Sequence, residues 1–356
     1  MFNSLVTMVM DSFAAILVWS LPISSSKLAL VILSFIAATI LAIVLTPVAM
    51  RLAHKADVLD HPHARRVHTK PTPRWGGLAM YAAFTLTVLV VMLIRLVRFD
   101  ETHAFNPRVL GILICGGLIT ALGAIDDKYS IPAKVKLLGQ ILIAVLLTLP
   151  FFGIRMVVAF DIPFGGDQLP LWREALSYIL TVAWVVAITN TINLIDGLDG
   201  LAAGVSGLAA LTFVTISVTM KGAFGEAILA AAVAGACLGF LRYNFNPAKV
   251  FMGDAGSHFL GFTIAALSIL QNWKVATGIA FAVPVLILAV PIFDTAFAII
   301  RRLRRGQPIF SPDKGHLHHR LLNMGLNQRT VVLCIYILTV VGCLLALFLA
   351  QARLWH

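Results

Sequence analysis

The chain has 356 residues, of which 60% are hydrophobic and only 12% are charged, and its formal net charge is +11. A soluble globular domain carries about 45–50% apolar and about 25% charged residues, so this composition excludes a soluble globular protein. It also excludes a disordered chain, which would need few apolar residues and many charges. A positive balance on a mostly apolar chain is typical of a protein that faces an anionic leaflet. We therefore expect membrane lipid, and no nucleic acid, among its partners.

Ten segments along the chain are long and apolar enough to cross a bilayer, which requires about 20 mainly apolar residues. They predict an all-α fold, a polytopic membrane bundle of about ten helices that occupies residues 27–350 as one domain, with a short tail at 351–356. Residues 1–26 form either an eleventh span or a helix lying in the interface. The ten predicted spans are 28–50, 77–97, 108–125, 136–153, 175–194, 200–220, 224–242, 255–271, 275–300 and 329–350.

The loops between the predicted spans differ in charge. Most of the 27 Lys and Arg residues lie in loops that follow odd-numbered spans, above all in 51–76 and 301–320. Since basic loops stay on the cytoplasmic side of a membrane, this face is predicted to be cytoplasmic. On the opposite side, 154–174 contains the apolar run 157–160 and a Gly165-Gly166 pair, which predict a short outer β-hairpin.

Five aspartates lie on the predicted cytoplasmic face, in three loops far apart in the sequence. Asp126 and Asp127 follow the third span, Asp196 and Asp199 follow the fifth, and Asp254 precedes the eighth. Acids at a membrane edge are expensive and by default suggest function. Oxygen ligands on loops suit Mg²⁺, which keeps several waters and bridges to substrate phosphates. The pattern therefore predicts a divalent-cation site.

Each acid also has a structural interpretation. The Asp126-Asp127 pair could be an acidic turn that pairs with a neighbouring lysine. Asp199 or Asp254 could be the N-cap of the helix that follows it. A cap at Asp199 explains one acid of its segment but leaves Asp196 and Asn193 unexplained, and this favours a functional role for that segment.

Basic side chains complement the acids on the same face. Lys136 opens the fourth span and could reach back toward an anion, with Lys134 as the second choice. The segment 316–319 contains three histidines without a zinc-binding spacing; these could donate hydrogen bonds to phosphate or form a solvated loop. The arginines of 301–305 either anchor a helix end against lipid or bind pyrophosphate. The stiff, basic loop 68–77 either covers a substrate or leads into the second span.

Acids that hold Mg²⁺ and bases that hold phosphate oxygens, at one membrane face, predict Mg²⁺-dependent phospho-transfer onto a lipid phosphate. The spacing of the residues does not identify the nucleotide or the sugar. A membrane transporter is the alternative from another class, and it would place its acids near the midplane. A CDP-alcohol phosphotransferase is a second enzyme alternative, but its motif is missing around residues 196–207.

At these residues the sequence resembles the polyprenyl-phosphate N-acetylhexosamine-1-phosphate transferases, over roughly 45–330. The resemblance implies a ten-span core and a reaction that moves a sugar-1-phosphate from a UDP-amino sugar to a polyprenyl phosphate, releases UMP and uses Mg²⁺, with Mn²⁺ as an alternative. Four segments carry it, in order along the chain: Asp126-Asp127 with Lys136, then 193–201, 244–257 and 312–319.

The resemblance implies a role for each matching residue. Asp254 is implied as the main metal ligand, helped by Asp127 and Asp196, and Asp126 as the base that keeps the lipid phosphate deprotonated. Residues predicted to be catalytic are Asp126, Asp127, Asp196, Lys136, His318 and His319. Residues predicted to bind substrate are Asn193, Asp199, Asn244, Arg302, Arg304, His316, His68 and Lys134.

The histidine segment also bears on the substrate. In the peptidoglycan branch of the family this motif precedes Phe-Glu, whereas here Arg320-Leu321 follows it. The runs 301–306 and 310–313 resemble the branch that uses UDP-GlcNAc and starts O-antigen, enterobacterial common antigen or teichoic-acid linkage units. We therefore predict GlcNAc-1-phosphate transfer to undecaprenyl phosphate at the cytoplasmic face of a bacterial inner membrane. Phospho-MurNAc-pentapeptide transfer is the alternative, and the sequence leaves a homodimer open.

Overall fold

Helices dominate the part of the chain that the computed structural model describes, namely residues 25–61, 71–99, 106–156, 171–219, 223–271, 277–307 and 315–351. Those residues form twelve α-helices. They are α1 (Ser25–Lys55), α2 (Gly76–Phe99), α3 (Pro107–Tyr129), α4 (Ala133–Thr148), α5 (Leu171–Ile195), α6 (Leu201–Thr219), α7 (Phe224–Asn244), α8 (Gly253–Leu270), α9 (Thr277–Ile287), α10 (Ala289–Arg304), α11 (Leu317–Asn323) and α12 (Gln328–Gln351).

Seven of these helices are long and apolar enough to cross a membrane, namely α1, α2, α3, α5, α6, α7 and α12. Each coincides with a predicted span, and together they make the chain an all-α, polytopic integral membrane protein. The remaining three spans stay predictions. The span at 136–153 is the 16-residue helix α4, and the span at 255–271 is the 18-residue helix α8.

The predicted span at 275–300 is two helices. The break between α9 and α10 falls at Leu288, whose backbone leaves the helical conformation (φ −103°, ψ 21°). Two prolines flank it. Pro284 lies inside α9 and Pro291 lies in the first turn of α10, where the missing N–H of proline needs no partner. A short helix therefore precedes a separate, basic-ended helix that leads to the loop predicted to be cytoplasmic.

Little sheet accompanies the helices. In the described residues, β1 (Leu59–Asp60) pairs antiparallel with β2 (Thr72–Pro73), Leu59 opposite Pro73. The predicted outer hairpin around Gly165-Gly166 lies outside the described residues, as does most of the N-terminal segment 1–26. The end of β2 also pairs with the segment before α8, since Phe251 donates its N–H to Pro73 O (2.8 Å). This pairing fixes the segment that leads into α8.

The helix α8 forms the centre of the bundle, because nearly all of its residues are buried. Neighbouring helices approach its first turn closely. A side-chain carbon at Gly123 of α3 would clash with the backbone of Asp254 and Ala255. Only glycine allows this approach, and it brings the end of α3 against the start of α8.

Candidate active site

Four helix ends meet at one face of the bundle. Asp126 and Asp127 lie in the last turn of α3, Lys136 lies in the first turn of α4, Asn193 lies in the last turn of α5, and Asp254 lies in the first turn of α8. The hydrogen bonds at this place, given below, join positions that are up to 128 residues apart in the chain. The fold thus gathers at one place the acids that the sequence places in three separate loops.

An ammonium group sits between two of the carboxylates. Lys136 Nζ lies 2.8 Å from Asp126 Oδ2 and 2.6 Å from Asp254 Oδ2. The other oxygen of Asp126 accepts the N–H of Ile131 at 2.7 Å, which orients the carboxylate. All three charged side chains retain some exposure, from 11% to 21%. The gap between Asp126 and Asp254 therefore holds a positive charge and is open to solutes.

Asp127 turns the other way and caps α8. Its Oδ1 accepts the N–H of Asp254 at 2.9 Å, and its Oδ2 accepts the N–H of Ala255 at 3.1 Å. The side chain is fully buried, and Arg74 Nε lies 3.6 Å from Oδ1. A carboxylate at a helix N-terminus satisfies free N–H groups and is stabilised by the helix dipole. Metal ligation by Asp127 stays a prediction, since both of its oxygens are engaged here by backbone.

A glycine makes this capping contact geometrically possible. Gly253 has φ +68°, a conformation that residues with a side chain rarely adopt. A side-chain carbon at this position would also clash with the Asp127 carboxylate and with the carbonyl oxygen of Arg74. The Gly253-Asp254 step of the motif is therefore needed to bring the α8 N-terminus onto Asp127.

Asn193 and Asp196 extend the acidic site toward the end of α5. Asn193 Nδ2 donates to Asp254 Oδ1 at 3.1 Å and to Ser257 Oγ at 2.9 Å. Asp196 follows the helix, is half-buried, and has its pKa raised to about 8 by burial and by the negative charges of Asp254 and Asp127. The crowding of carboxylates favours a bound cation or proton at this place.

The histidine segment is held by Asp294 of α10. Asp294 Oδ2 lies 2.9 Å from His316 Nδ1, and its Oδ1 accepts the N–H of Leu317 at 2.8 Å. His318 packs against the loop after α5, because a side chain at Gly197 would come within 2.8 Å of His318 Nε2. Burial, with the charges of His319 and His316, lowers the pKa of His318 to about 4. His318 is thus a neutral imidazole at pH 7, beside the loop that carries Asp196.

Asn244 and Asp199 have structural partners. Asn244 is buried, accepts the N–H of Gly200 at 3.0 Å and donates to Val250 O at 2.9 Å. Asp199 Oδ2 accepts from Asn246 Nδ2 at 2.9 Å and from Ala248 N at 3.0 Å. The carboxylate thus holds the loop after α7. Substrate binding by Asn244 and Asp199 stays a prediction, and the contacts show that both join the loops that frame the site.

Four predicted substrate-binding residues remain untested by contacts. Lys134 is exposed at the start of α4, Arg304 is exposed at the end of α10, and Arg302, two residues earlier, is buried. His68 lies outside the described residues. Their roles stay predictions.

Two residues near the site were missing from the predicted set. Arg74 stands next to the Asp127 carboxylate, and Ser257 accepts a hydrogen bond from Asn193. Ser257 could have been found, because it lies three residues after Asp254 and so on the same helix face. Arg74 could not, since its position depends on the pairing of 73–77 with 251–252.

The donor set fits a metal ion that is shared with a substrate. In the described ranges, no three acidic, histidine or cysteine side chains are grouped closely enough to hold a metal ion alone. Mg²⁺ does not require such a cage, since it is usually bound by one or two carboxylates together with waters and substrate phosphates. Asp126 and Asp254, which already share a cation in the form of Lys136, meet that requirement.

Comparison with known proteins gives consistent matches. The model of the family described as glycosyl transferase family 4 matches residues 109–272. The chain is 41% identical to the probable undecaprenyl-phosphate N-acetylglucosaminyl 1-phosphate transferase of Bacillus subtilis, over 91% of this chain and 86% of the relative. It is 39% identical to the decaprenyl-phosphate N-acetylglucosaminephosphotransferase of Mycolicibacterium smegmatis, over 80% and 74%. It is 28% identical to the undecaprenyl-phosphate alpha-N-acetylglucosaminyl 1-phosphate transferase of Escherichia coli, over 84% and 77%.

Proposed function

The chain belongs to glycosyl transferase family 4, and we propose that it transfers GlcNAc-1-phosphate from UDP-GlcNAc to undecaprenyl phosphate. The products are undecaprenyl-pyrophosphate-GlcNAc and UMP, and the reaction is the first membrane step of a cell-surface polysaccharide. One observation carries the proposal. Two carboxylates from different helices, Asp126 and Asp254, share the ammonium group of Lys136 at 2.8 and 2.6 Å. This contact lies at the place where four helix ends meet. The choice of GlcNAc as the sugar and undecaprenyl phosphate as the lipid rests on the names of the relatives.

Asp254 and Asp126 are the residues that would hold Mg²⁺, with Mn²⁺ as a substitute. When bound, the metal neutralises charge on the pyrophosphate. Asn193 keeps Asp254 oriented through its amide N–H. Lys136 is then close enough to the same carboxylates to bind a phosphate oxygen beside the metal. Asp196, next to this site, is a second acid that could take up a proton or join the metal.

The reaction forms one bond and breaks one. An oxygen of the lipid phosphate attacks the phosphorus that carries the sugar, and the bond from that phosphorus to the bridging oxygen breaks, so that UMP leaves with the electron pair. Phosphoryl transfer depends mainly on positioning and charge stabilisation. Lys136 stabilises charge on the phosphates, and the neutral His318 donates an N–H to a phosphate oxygen.

A cavity near the histidine segment suits the apolar part of the acceptor. It has a volume of about 360 Å³ and lies between α10 and α12, beside Asp294 and Leu317. Phe293 and Phe297 line it and are exposed on the surface of the bundle. Arg301 and Arg320 add positive charge to the lining. An apolar groove with a basic edge fits a lipid that ends in phosphate.

The proposed location is the bacterial cytoplasmic membrane, with the site on the cytoplasmic face. The basic loops on the side of the site support this orientation through the positive-inside rule. A UDP-sugar made in the cytoplasm then reaches the site directly. The proposed partners are the two substrates and membrane lipid, and a homodimer remains open.

The test is a release assay with the purified chain in detergent. Undecaprenyl phosphate and Mg²⁺ are mixed with either UDP-GlcNAc or UDP-MurNAc-pentapeptide, and UMP is quantified. We expect UMP from UDP-GlcNAc alone. UMP from the pentapeptide substrate alone would overturn the sugar assignment, and UMP from neither, with folded protein, would overturn the proposed function.

A pair of variants ties the activity to the site. Asp254→Asn removes a charge shared with Lys136 and should lower turnover on the order of 100-fold at constant Mg²⁺, since metal-based charge stabilisation contributes several kcal/mol. The matched control is Glu174→Gln, which removes an exposed ion pair with Arg155 and should leave turnover unchanged. Near-normal turnover by Asp254→Asn would contradict the metal assignment.

A further inference from the structure

A second layer of polar residues lies directly beneath the site, one helical turn deeper in the bundle. Gln140 is four residues after Lys136 on α4, His258 is four residues after Asp254 on α8, and Asn190 is three residues before Asn193 on α5. Because α4 and α8 begin at the site and α5 ends there, all three residues lie farther from the helix ends, and so deeper in the bundle, than the site residues on the same helices. Each offset corresponds to about 5 Å along a helix axis.

The three side chains of this layer contact one another. Asn190 Nδ2 donates to Gln140 Oε1 at 2.6 Å, and Gln140 Nε2 lies 3.2 Å from His258 Nε2. Since an amide nitrogen can only donate, His258 Nε2 is the acceptor and Nδ1 carries the proton. The layer thus links α4, α5 and α8 through side chains alone.

Burial makes these contacts important. Gln140 is 2% exposed and His258 is fully buried. Buried polar groups that lose a partner are destabilising, and hydrogen bonds between helices stabilise a bundle in a membrane. The relative positions of α4, α5 and α8 that allow these hydrogen bonds are therefore favoured over shifted positions. An apolar layer would tolerate such shifts.

The position of Lys136 depends on this layer in particular. The buried residues of α4 are Gln140, Ala144, Leu147 and Thr148, so Gln140 is the one closest to Lys136. It forms hydrogen bonds, whereas Ala144 and Leu147 pack without directional contacts. His258 also lies close to the site above it, with Nε2 3.9 Å from Asp254 Oδ2.

From this arrangement we propose that Gln140, Asn190 and His258 are positioning residues of the transferase. They act through Lys136, Asn193 and Asp254, which they hold at the separations that cation and phosphate binding require. The proposal rests on the proposed function. A displacement of reacting groups by about 1 Å can cost on the order of 100-fold in rate, so a layer that sets these separations controls turnover without touching a substrate.

The test compares two apolar variants with a conservative one and a matched control. Gln140→Leu and His258→Leu remove the hydrogen bonds at nearly constant size, whereas His258→Gln retains an acceptor near Nε2. The control is Ser268→Ala, which removes the buried contact of Ser268 with Trp184 between α5 and α8 (2.9 Å), away from the site. The measurements are kcat and KM from UMP release, Mn²⁺ affinity by EPR without substrates, and Tm in detergent.

We expect both leucine variants to lower kcat about tenfold at nearly constant KM and to weaken Mn²⁺ binding. His258→Gln should recover most of the activity, and Ser268→Ala should lower Tm by a similar amount without changing either readout. The proposal is overturned if Gln140→Leu keeps wild-type kcat and Mn²⁺ affinity, or if Ser268→Ala loses as much activity. A wild type that releases no UMP overturns the proposed function instead. In that case Mn²⁺ affinity alone tests the positioning role of the layer. The role is overturned if the wild type and Gln140→Leu have equal affinity, or if neither binds Mn²⁺.

Discussion

Lys136 places a tethered positive charge between the carboxylates of Asp126 and Asp254. Under the proposed function, a divalent ion would occupy the same place. Without it, two carboxylates of like charge would face each other at the end of two helices, which is costly in a partly buried place. The lysine thus keeps the two carboxylates together, and under the proposed function metal binding would displace it toward the substrate phosphates.

Removing this ammonium should have opposite effects on metal binding and on turnover. Lys136→Met eliminates the competing charge, so we expect Mn²⁺ affinity of the substrate-free protein to rise several-fold. Turnover should fall at least about tenfold, because a charge-assisted contact to phosphate is lost. EPR titration with Mn²⁺ and UMP release measure the two effects.

The control for this experiment keeps the charge. Lys136→Arg should bind Mn²⁺ no more tightly than the wild type, since a cation still lies between the carboxylates. If Lys136→Met bound Mn²⁺ more weakly than Lys136→Arg, the positive charge at residue 136 would stabilise the metal site. Competition between this charge and Mn²⁺ for the carboxylates would then be ruled out.

At the scale of elements, one carboxylate positions a whole helix. Asp294 of α10 binds both His316 and the first N–H group of α11. The helix α11 has only seven residues, too few to be stable alone, and it presents His318 to the loop after α5. The position of the histidines at the site therefore depends on a residue that does not reach the site.

Substitution of Asp294 should weaken this attachment. Asp294→Asn keeps an oxygen for the Leu317 N–H but loses the charged acceptor of His316, at a cost of about 1–3 kcal/mol. We expect Tm to fall and kcat to fall several-fold. Leu303→Met on the same helix is the control, since Leu303 is exposed and lies outside the lining of the cavity, and its variant should keep both values. Wild-type kcat in Asp294→Asn would show that α11 is held by other contacts.

The elements also show how far the sequence could be interpreted. Seven of the ten predicted spans are confirmed as long apolar helices, because a long apolar segment has few alternatives in a membrane. The break at Leu288 was missed, since the hydropathy of 275–300 is continuous and only the two prolines indicate it. The pairing of β1 and β2 was missed because two-residue strands carry no periodicity. The meeting of Asp126, Lys136 and Asp254 could be expected from the motifs, but the capping role of Asp127 required the backbone of α8.

For the whole molecule, the contacts at the site constrain the path of the chain through the membrane. The helix α3 ends at the site, α4 begins there and α5 ends there. Since α5 is long enough to span the membrane, we expect α4 to carry the chain to the other side first. The same reasoning applies farther along, because α8 begins at the site while α10 and α11 return to it. We therefore predict that the short helices α4 and α8 and the broken pair α9–α10 each complete a crossing, ten crossings in all.

This path predicts on which side each connection lies. A reporter fused after Gly306, at the end of α10, should be cytoplasmic, together with the site. The helix α12 begins next to the loop after α7, because Gln328 contacts Asn246 (2.8 Å), and it is long and apolar enough to span the membrane. A reporter fused after Gln351 should therefore lie outside. In a bacterial host, fluorescent-protein and alkaline-phosphatase fusions at both positions measure this directly.

Each outcome bears on a different step of the argument. Fluorescence after Gly306 with phosphatase activity after Gln351 supports both the sidedness and the ten crossings. The reverse pattern would keep the crossings and overturn the assignment of the site to the cytoplasm. Both reporters on one side would contradict a membrane-spanning α12, since the contacts of Gln328 place the start of that helix at the level of the site. The positive-inside rule and the side-chain contacts thus make independent predictions, which the two fusions test separately.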